Sequence, residues 1–122
     1  MQQLQKNNTV LSEQHFILPR ETRLRKRWEF NAVYRMGCKR NTPHFLLLVL
    51  INSQEHSRLG VTVSRKVGNA VVRNRVKRII REFFRCNRFR LEKPVDLSVI
   101  AKRDAGQVDT DTIWHELEEL FG

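Results

Sequence analysis

Arg65, Lys66, Asn69, Arg73, Asn74, Arg75, Lys77, Arg78 and Arg81 crowd one short stretch of the chain. None of these side chains is a nucleophile or a general base at neutral pH. Guanidinium and ammonium groups grip anions, the first bidentately and the second as a point charge. The two amides both donate and accept, which suits a base edge or a ribose. The chemistry on offer is therefore recognition of a polyanion. Protein-borne phosphoryl transfer needs a carboxylate cluster for metal or paired histidines for acid and base. His15, His44, His56 and His115 are scattered, with no HExxH or Cys/His ligand spacing. Asp104, Asp109 and Asp111 lie close together, but helix capping accounts for the last two. Cys38 and Cys86 form no CxxC pair and read as two reduced thiols, with no structural zinc site.

The whole chain shares this bias. Its 122 residues carry 23 Lys and Arg against 13 Asp and Glu, a formal charge of +10. With 40% hydrophobic residues it can still bury a core. The charge is also segregated. Arg58 to Arg90 holds eleven basic residues and one acid, Glu82, whereas Asp104 to Gly122 holds six acids and no Lys or Arg. A surface charged only for solubility would mix the signs. No apolar run approaches the roughly 20 residues of a membrane span. The N-terminus lacks a signal-peptide core, so a cytoplasmic protein is expected.

Residues 1–17 are polar and aperiodic and read as a flexible arm; residues 18–122 read as a single α+β domain that binds a polyanion. Phe30, Val33 and Tyr34 recur at helical spacing before Gly37, which predicts a helix from Lys26 to Met36. His44 to Asn52 reads as a buried strand. Leu59, Val61 and Val63 alternate with smaller residues as in a second strand, expected to pair antiparallel with the first. A third strand follows Pro94 in "VDLSVIAKR". The last helix carries Ile113, Leu117, Leu120 and Phe121 on one face, with Asp109, Thr110 and Asp111 at its start. The order is helix-strand-strand-helix-strand-helix, an α+β sandwich on a small sheet.

The basic stretch itself is a helix with two faces. At about 100° per residue, Val72, Val76, Ile79, Ile80 and Phe83 form one stripe, with Phe84 at its border. Arg75, Lys77, Arg78, Arg81, Glu82 and Arg85 lie opposite. The stripe supplies stability, and the charged face is left as a ridge. Gly68 and Asn69 read as a turn leading to an N-cap, so Arg73 and Arg75 fall in the first turns. Cations there oppose the helix dipole. With Arg65 and Lys66 beside free N–H groups, that corner suits phosphate.

The segment "SRKVGNAVVRNRVKRIIREFFR" closely resembles the signature of the protein subunit of bacterial ribonuclease P, with Arg73, Asn74 and Arg75 at its Arg-Asn-Arg motif. The resemblance extends from about Leu18 to Phe121. It implies a small mixed sheet whose strand–helix–strand unit makes a left-handed βαβ crossover. It also implies binding to a catalytic RNA subunit, one protein per RNA. Together with magnesium held mainly by the RNA, the complex would remove the 5′ leader of precursor tRNA. Carried over by position, Arg65, Lys66, Asn69, Arg73, Asn74, Arg75, Lys77, Arg78 and, on the same ridge, Arg81 would meet the catalytic RNA. Phe30 and Tyr34 would line a leader cleft between the first helix and the sheet. Some relatives place an aromatic on the first strand of this cleft; here Leu46, Leu48 or Leu50 stands there.

Three other readings compete on the residues alone. A general RNA-binding or ribosome-associated protein would use the same ridge. A solvated basic face would need no partner at all. An anionic membrane would attract the charge, but the helix's apolar stripe is required for the core.

Overall fold

A computed structural model describes residues 19–121. The polar arm expected over 1–17 lies outside the described residues. Helix α1 (Arg27–Met36) is followed by strands β1 (Cys38–Asn41), β2 (Phe45–Ile51) and β3 (Arg58–Thr62). Helix α2 (Ala70–Asn87), strand β4 (Val95–Ala101) and helix α3 (Thr110–Leu117) complete the order. Among the described residues, no helix is long and apolar enough to cross a membrane.

The four strands form one mixed sheet in the order β1-β2-β4-β3. The expected antiparallel pairing of the second and third of these strands does not occur. β4 lies between them, antiparallel to β2 and parallel to β3. The reason lies in β4, which is buried along nearly its whole length on both faces. Leu97 and Val99 enter the main core, while Asp96 and Ser98 are buried on the other side. A strand covered on both faces belongs in the middle of a sheet. β3, α2 and β4 thus make a strand–helix–strand unit whose parallel strands are neighbours. β1 was not expected. All four of its residues are exposed, so it carries no apolar alternation, and its partner β2 supplies the register.

The sheet separates two apolar clusters of unequal size. α2 and α3 cover one face, where Val76, Ile80, Phe83, Ile113 and Leu117 pack on Phe45, Leu47, Leu97 and Val99. α1 crosses the other face over a thinner cluster of Leu24, Val33 and Leu48, with Phe30, Leu46, Leu50 and Ile100 partly buried. The helix ends at Gly37, where a Cβ would stand 2.6 Å from the Val33 carbonyl oxygen and 2.8 Å from that of Val49. Its backbone there is extended, so close approach to β2, rather than a left-handed turn, calls for glycine.

Candidate nucleic-acid interface

α2 forms as its apolar spacing dictates, with Val76, Ile80, Phe83 and Phe84 buried. Asn69 is the N-cap, and its side-chain oxygen accepts from the Val72 N–H at 3.0 Å. Val63 and Val67, both buried, pin the loop before it. Arg65 and Lys66 sit on that loop's exposed turn. Arg65, Lys66, Asn69, Arg73 and Asn74 therefore gather at one helix end. Lys77, Arg78 and Arg81 continue along the ridge.

The first-turn cations are less free than dipole reasoning suggests. Arg73 Nε donates to the Gly68 carbonyl at 3.2 Å, and an Arg75 NH2 group donates to the Val108 carbonyl at 3.0 Å. Each guanidinium meets a carbonyl, which offsets the unfavourable dipole, and the second joins α2 to the lead-in of α3. A guanidinium has five N–H donors, so most remain available to a ligand. Asn74 is exposed.

The opposite side of the sheet carries the second candidate surface. Phe30 lies across Gly60: a Cβ at that glycine would come within 2.3 Å of the ring. Its ring is thus a wedge between α1 and β3 with one part uncovered. Tyr34 is 50% exposed, and Lys39 Nζ stands 4.2 Å from its ring centroid. Leu48 is fully buried, so of the three leucines expected there only Leu46 and Leu50 keep any exposed surface. Aromatic rings beside a cation are groups on which unpaired bases can stack without being read.

What holds α1 in place is ionic. Arg58, counted above with the basic stretch, is committed internally: it pairs with Asp96 through two contacts of 2.9 and 2.8 Å and with Glu29 at 2.8 Å. Glu29 also accepts the N–H groups of Arg25 and Lys26, closing the start of α1. Burial pushes the Glu29 carboxyl up. Those two backbone donors and Arg58 outweigh it and hold the group below the usual carboxylate range. Asn52 adds a further donor to Asp96 at 2.7 Å.

A second buried carboxylate ties α3 to the sheet. Glu116 accepts from the Thr42 hydroxyl at 2.6 Å and from the His44 N–H at 2.9 Å, and meets His44 Nδ1 at 2.5 Å. Burial raises this carboxyl, but the Thr42 and His44 donors bring it below its ordinary value. Asp109 caps α3 by accepting from the Thr112 N–H at 2.8 Å. Glu118 in turn pairs with Arg90. Among the described residues, no three His, Cys, Asp or Glu side chains converge as a metal site.

Sequence reasoning did not single out Lys39, because β1 has no apolar pattern to mark it. Nor did it separate Arg58 from its cationic neighbours. Arg58 faces Asp96 through the parallel register of β3 and β4, which local spacing does not give.

The Ribonuclease P family profile matches residues 18–122. The ribonuclease P protein component of Desulfovibrio desulfuricans is 47% identical over 98 residues, covering 79% of this chain and 75% of that one. The protein component of Desulfatibacillum aliphaticivorans is 43% identical over 106 residues, covering 87% and 90%. The solved RNase P protein of Staphylococcus aureus superposes with a TM-score of 0.76 at 35% identity, over 82% of this chain and 92% of its own. With a family profile over residues 18–122, relatives above 40% identity and a shared fold, the chain belongs to the ribonuclease P protein family, the protein subunits that work with the RNA of that endoribonuclease.

Proposed function

We propose that residues 18–122 form one RNA-binding unit that joins the catalytic RNA and the 5′ leader of precursor tRNA on two faces of one sheet. Arg65, Lys66, Asn69, Arg73, Asn74, Arg75, Lys77, Arg78 and Arg81 meet the catalytic RNA, one protein to one RNA. Phe30 and Tyr34 receive the leader. The observation that carries this reading is the two-sided sheet: a cationic ridge on α2, and on the other face an exposed Tyr34 beside Lys39. A single-stranded leader offers unstacked bases, and aromatic rings accept these without sequence preference.

The protein's part in the reaction is to bind and orient. Magnesium would supply charge stabilisation at the scissile phosphate and would be held mainly by the RNA. Cations on the ridge lower the repulsion between catalytic RNA and substrate, so less magnesium is needed to bring them together. The complex works in the cytoplasm on newly made tRNA precursors.

Reconstitution tests this reading. Precursor tRNA and the cognate RNA subunit are mixed at low magnesium with and without the protein, and the protein alone is the control. Cleavage at the mature 5′ end should appear only with both subunits. RNA binding without stimulation favours a general RNA-binding protein, and cleavage by the protein alone overturns the reading.

A further inference from the structure

A second run of cations lies outside the ridge. From Arg20 to Arg27 the chain carries five basic residues and one acid, Glu21, immediately before Trp28. All five are exposed, and among the described residues the side chains of Arg20, Arg23, Arg25 and Arg27 make no hydrogen bond or ion pair. The cations near the end of α2 are different: Arg85 pairs with Glu82 and Arg90 with Glu118. Trp28 is 65% exposed, although a tryptophan is highly buried on average. Among the described residues its ring meets no other ring and no cation.

The backbone holds these side chains outward. Arg23 is extended and bridges Leu59 in parallel register, and the Leu24 N–H donates to the Leu59 carbonyl at 3.0 Å. Thr22 and Leu24 are buried, so by strand alternation Arg23 and Arg25 leave on the opposite side. Glu29 already takes the N–H groups of Arg25 and Lys26, so what this corner offers a ligand is side chains. On α1, Trp28 lies about 140° around the helix from buried Val33, on an outer stripe with exposed Asn31 and Arg35. Tyr34 stands about 120° around from it. Trp28 is therefore outside the cleft between α1 and the sheet.

The mixture of groups decides which RNA suits this patch. A paired RNA presents phosphates and hides its bases, and the α2 ridge from Arg65 to Arg81 contains no aromatic residue. A tryptophan among cations suits a single strand. Its indole stacks on an unpaired base, and guanidinium groups on either side hold the phosphates. The single strand that reaches α1 is the leader, received by Phe30 and Tyr34 on the same helix. We propose that Trp28, with Arg25 and Arg27, forms a second leader contact on the outer face of α1, taken by nucleotides farther from the cleavage site than those in the cleft. This rests on the leader reading of Phe30 and Tyr34 and carries the bound strand past the cleft.

The test uses the full chain in the complex reconstituted with the RNA subunit. Affinity for precursor tRNA is measured with leaders shortened one nucleotide at a time. The variants are Trp28→Ala, the double variant Arg25→Gln with Arg27→Gln and, as the cleft control, Tyr34→Ala. Trp28→Ala should bind long leaders about tenfold less tightly and short ones as the parent does. The double variant should reduce the salt slope on long leaders by about 0.7 for each phosphate released. Affinity for the RNA subunit and the melting temperature of the free protein should stay at parent values in Trp28→Ala, because this side chain is exposed. Parent-like affinity of Trp28→Ala at every leader length would overturn the outer contact. So would a loss equal at all lengths, or weakened assembly with the RNA subunit. If Tyr34→Ala alone loses leader affinity, the cleft stands and only the outer contact is lost. If neither variant changes leader affinity, the leader reading falls with it.

Discussion

The two principal helices use charge and apolar surface in opposite ways. α2 is held by Val76, Ile80, Phe83 and Phe84, and its cations lie away from that stripe, half-buried or exposed. α1 buries only Glu29 and Val33, and its start is fastened by Glu29, Arg58 and Asp96. Its large exposed side chains include Trp28, Tyr34 and Met36. A helix that would grip a phosphate backbone through cations can spend most of its apolar residues on the core. A helix whose ligand is an unpaired base must leave aromatic surface uncovered, so ionic contacts take a larger share of its anchoring. Removing charge should therefore unfold one side of the protein and disarm the other.

The largest expected effect comes from Arg58→Ala, which leaves Glu29 and Asp96 buried without their cation. Urea denaturation should show a loss of about 3–5 kcal/mol. A loss under about 1 kcal/mol would mean that α1 is held by its apolar contacts after all. On the other side, Ile80→Ala opens a cavity under α2 and should cost about 2–5 kcal/mol by the same measurement. These two substitutions break the comparison if their order of magnitude differs.

A smaller cost is expected from Arg75→Ala. The loss of its bond to Val108 should destabilise the protein by about 0.5–1.5 kcal/mol, while affinity for the RNA subunit falls by at least tenfold. Stability and affinity thus respond unequally on α2. A stability loss large enough to unfold the protein, seen by circular dichroism, would contradict the assignment of this arginine to the ridge.

Acidification acts on the ionic anchors. Glu29 and Glu116 both titrate below the ordinary value of 4.5 in the folded protein. Their folded forms bind protons less readily than the unfolded chain does. The stability they contribute is complete above that value and is lost as pH falls through their folded values. Denaturation midpoints measured from pH 7 down to pH 3 should fall, and Glu116→Gln should fall less steeply from a lower start. A slope unchanged in that variant would remove Glu116 from the set.

The α2 side was largely legible in the sequence. Its apolar stripe, the Asn69 cap and the unmixed charge all follow from local spacing, and the structure reproduces each. The sheet was less legible. A hairpin between β2 and β3 is the simplest reading of two adjacent strands, and only the two-sided burial of β4 displaces it. β1 gave no pattern because an exposed edge strand needs none. Charge counting also treats every cation alike. Arg58 and Arg81 look equivalent as residues, yet one is enclosed by carboxylates and the other lies half-buried on the flank of α2. Which cations are committed inside depends on contacts across 29 and 38 positions of chain, and no local window contains them.

The separation of the two faces is tested most directly by one paired measurement on reconstituted complexes. Affinity for the RNA subunit, and affinity for precursor tRNA with long and with trimmed leaders, are determined for Tyr34→Ala and Arg75→Ala. Tyr34→Ala should lose the advantage of the long leader, by about 1–3 kcal/mol for each unstacked base, with RNA-subunit affinity unchanged. Arg75→Ala should weaken assembly and, once assembled at saturating protein, keep the leader advantage. Loss of both properties in both variants would contradict the division of labour between the two faces.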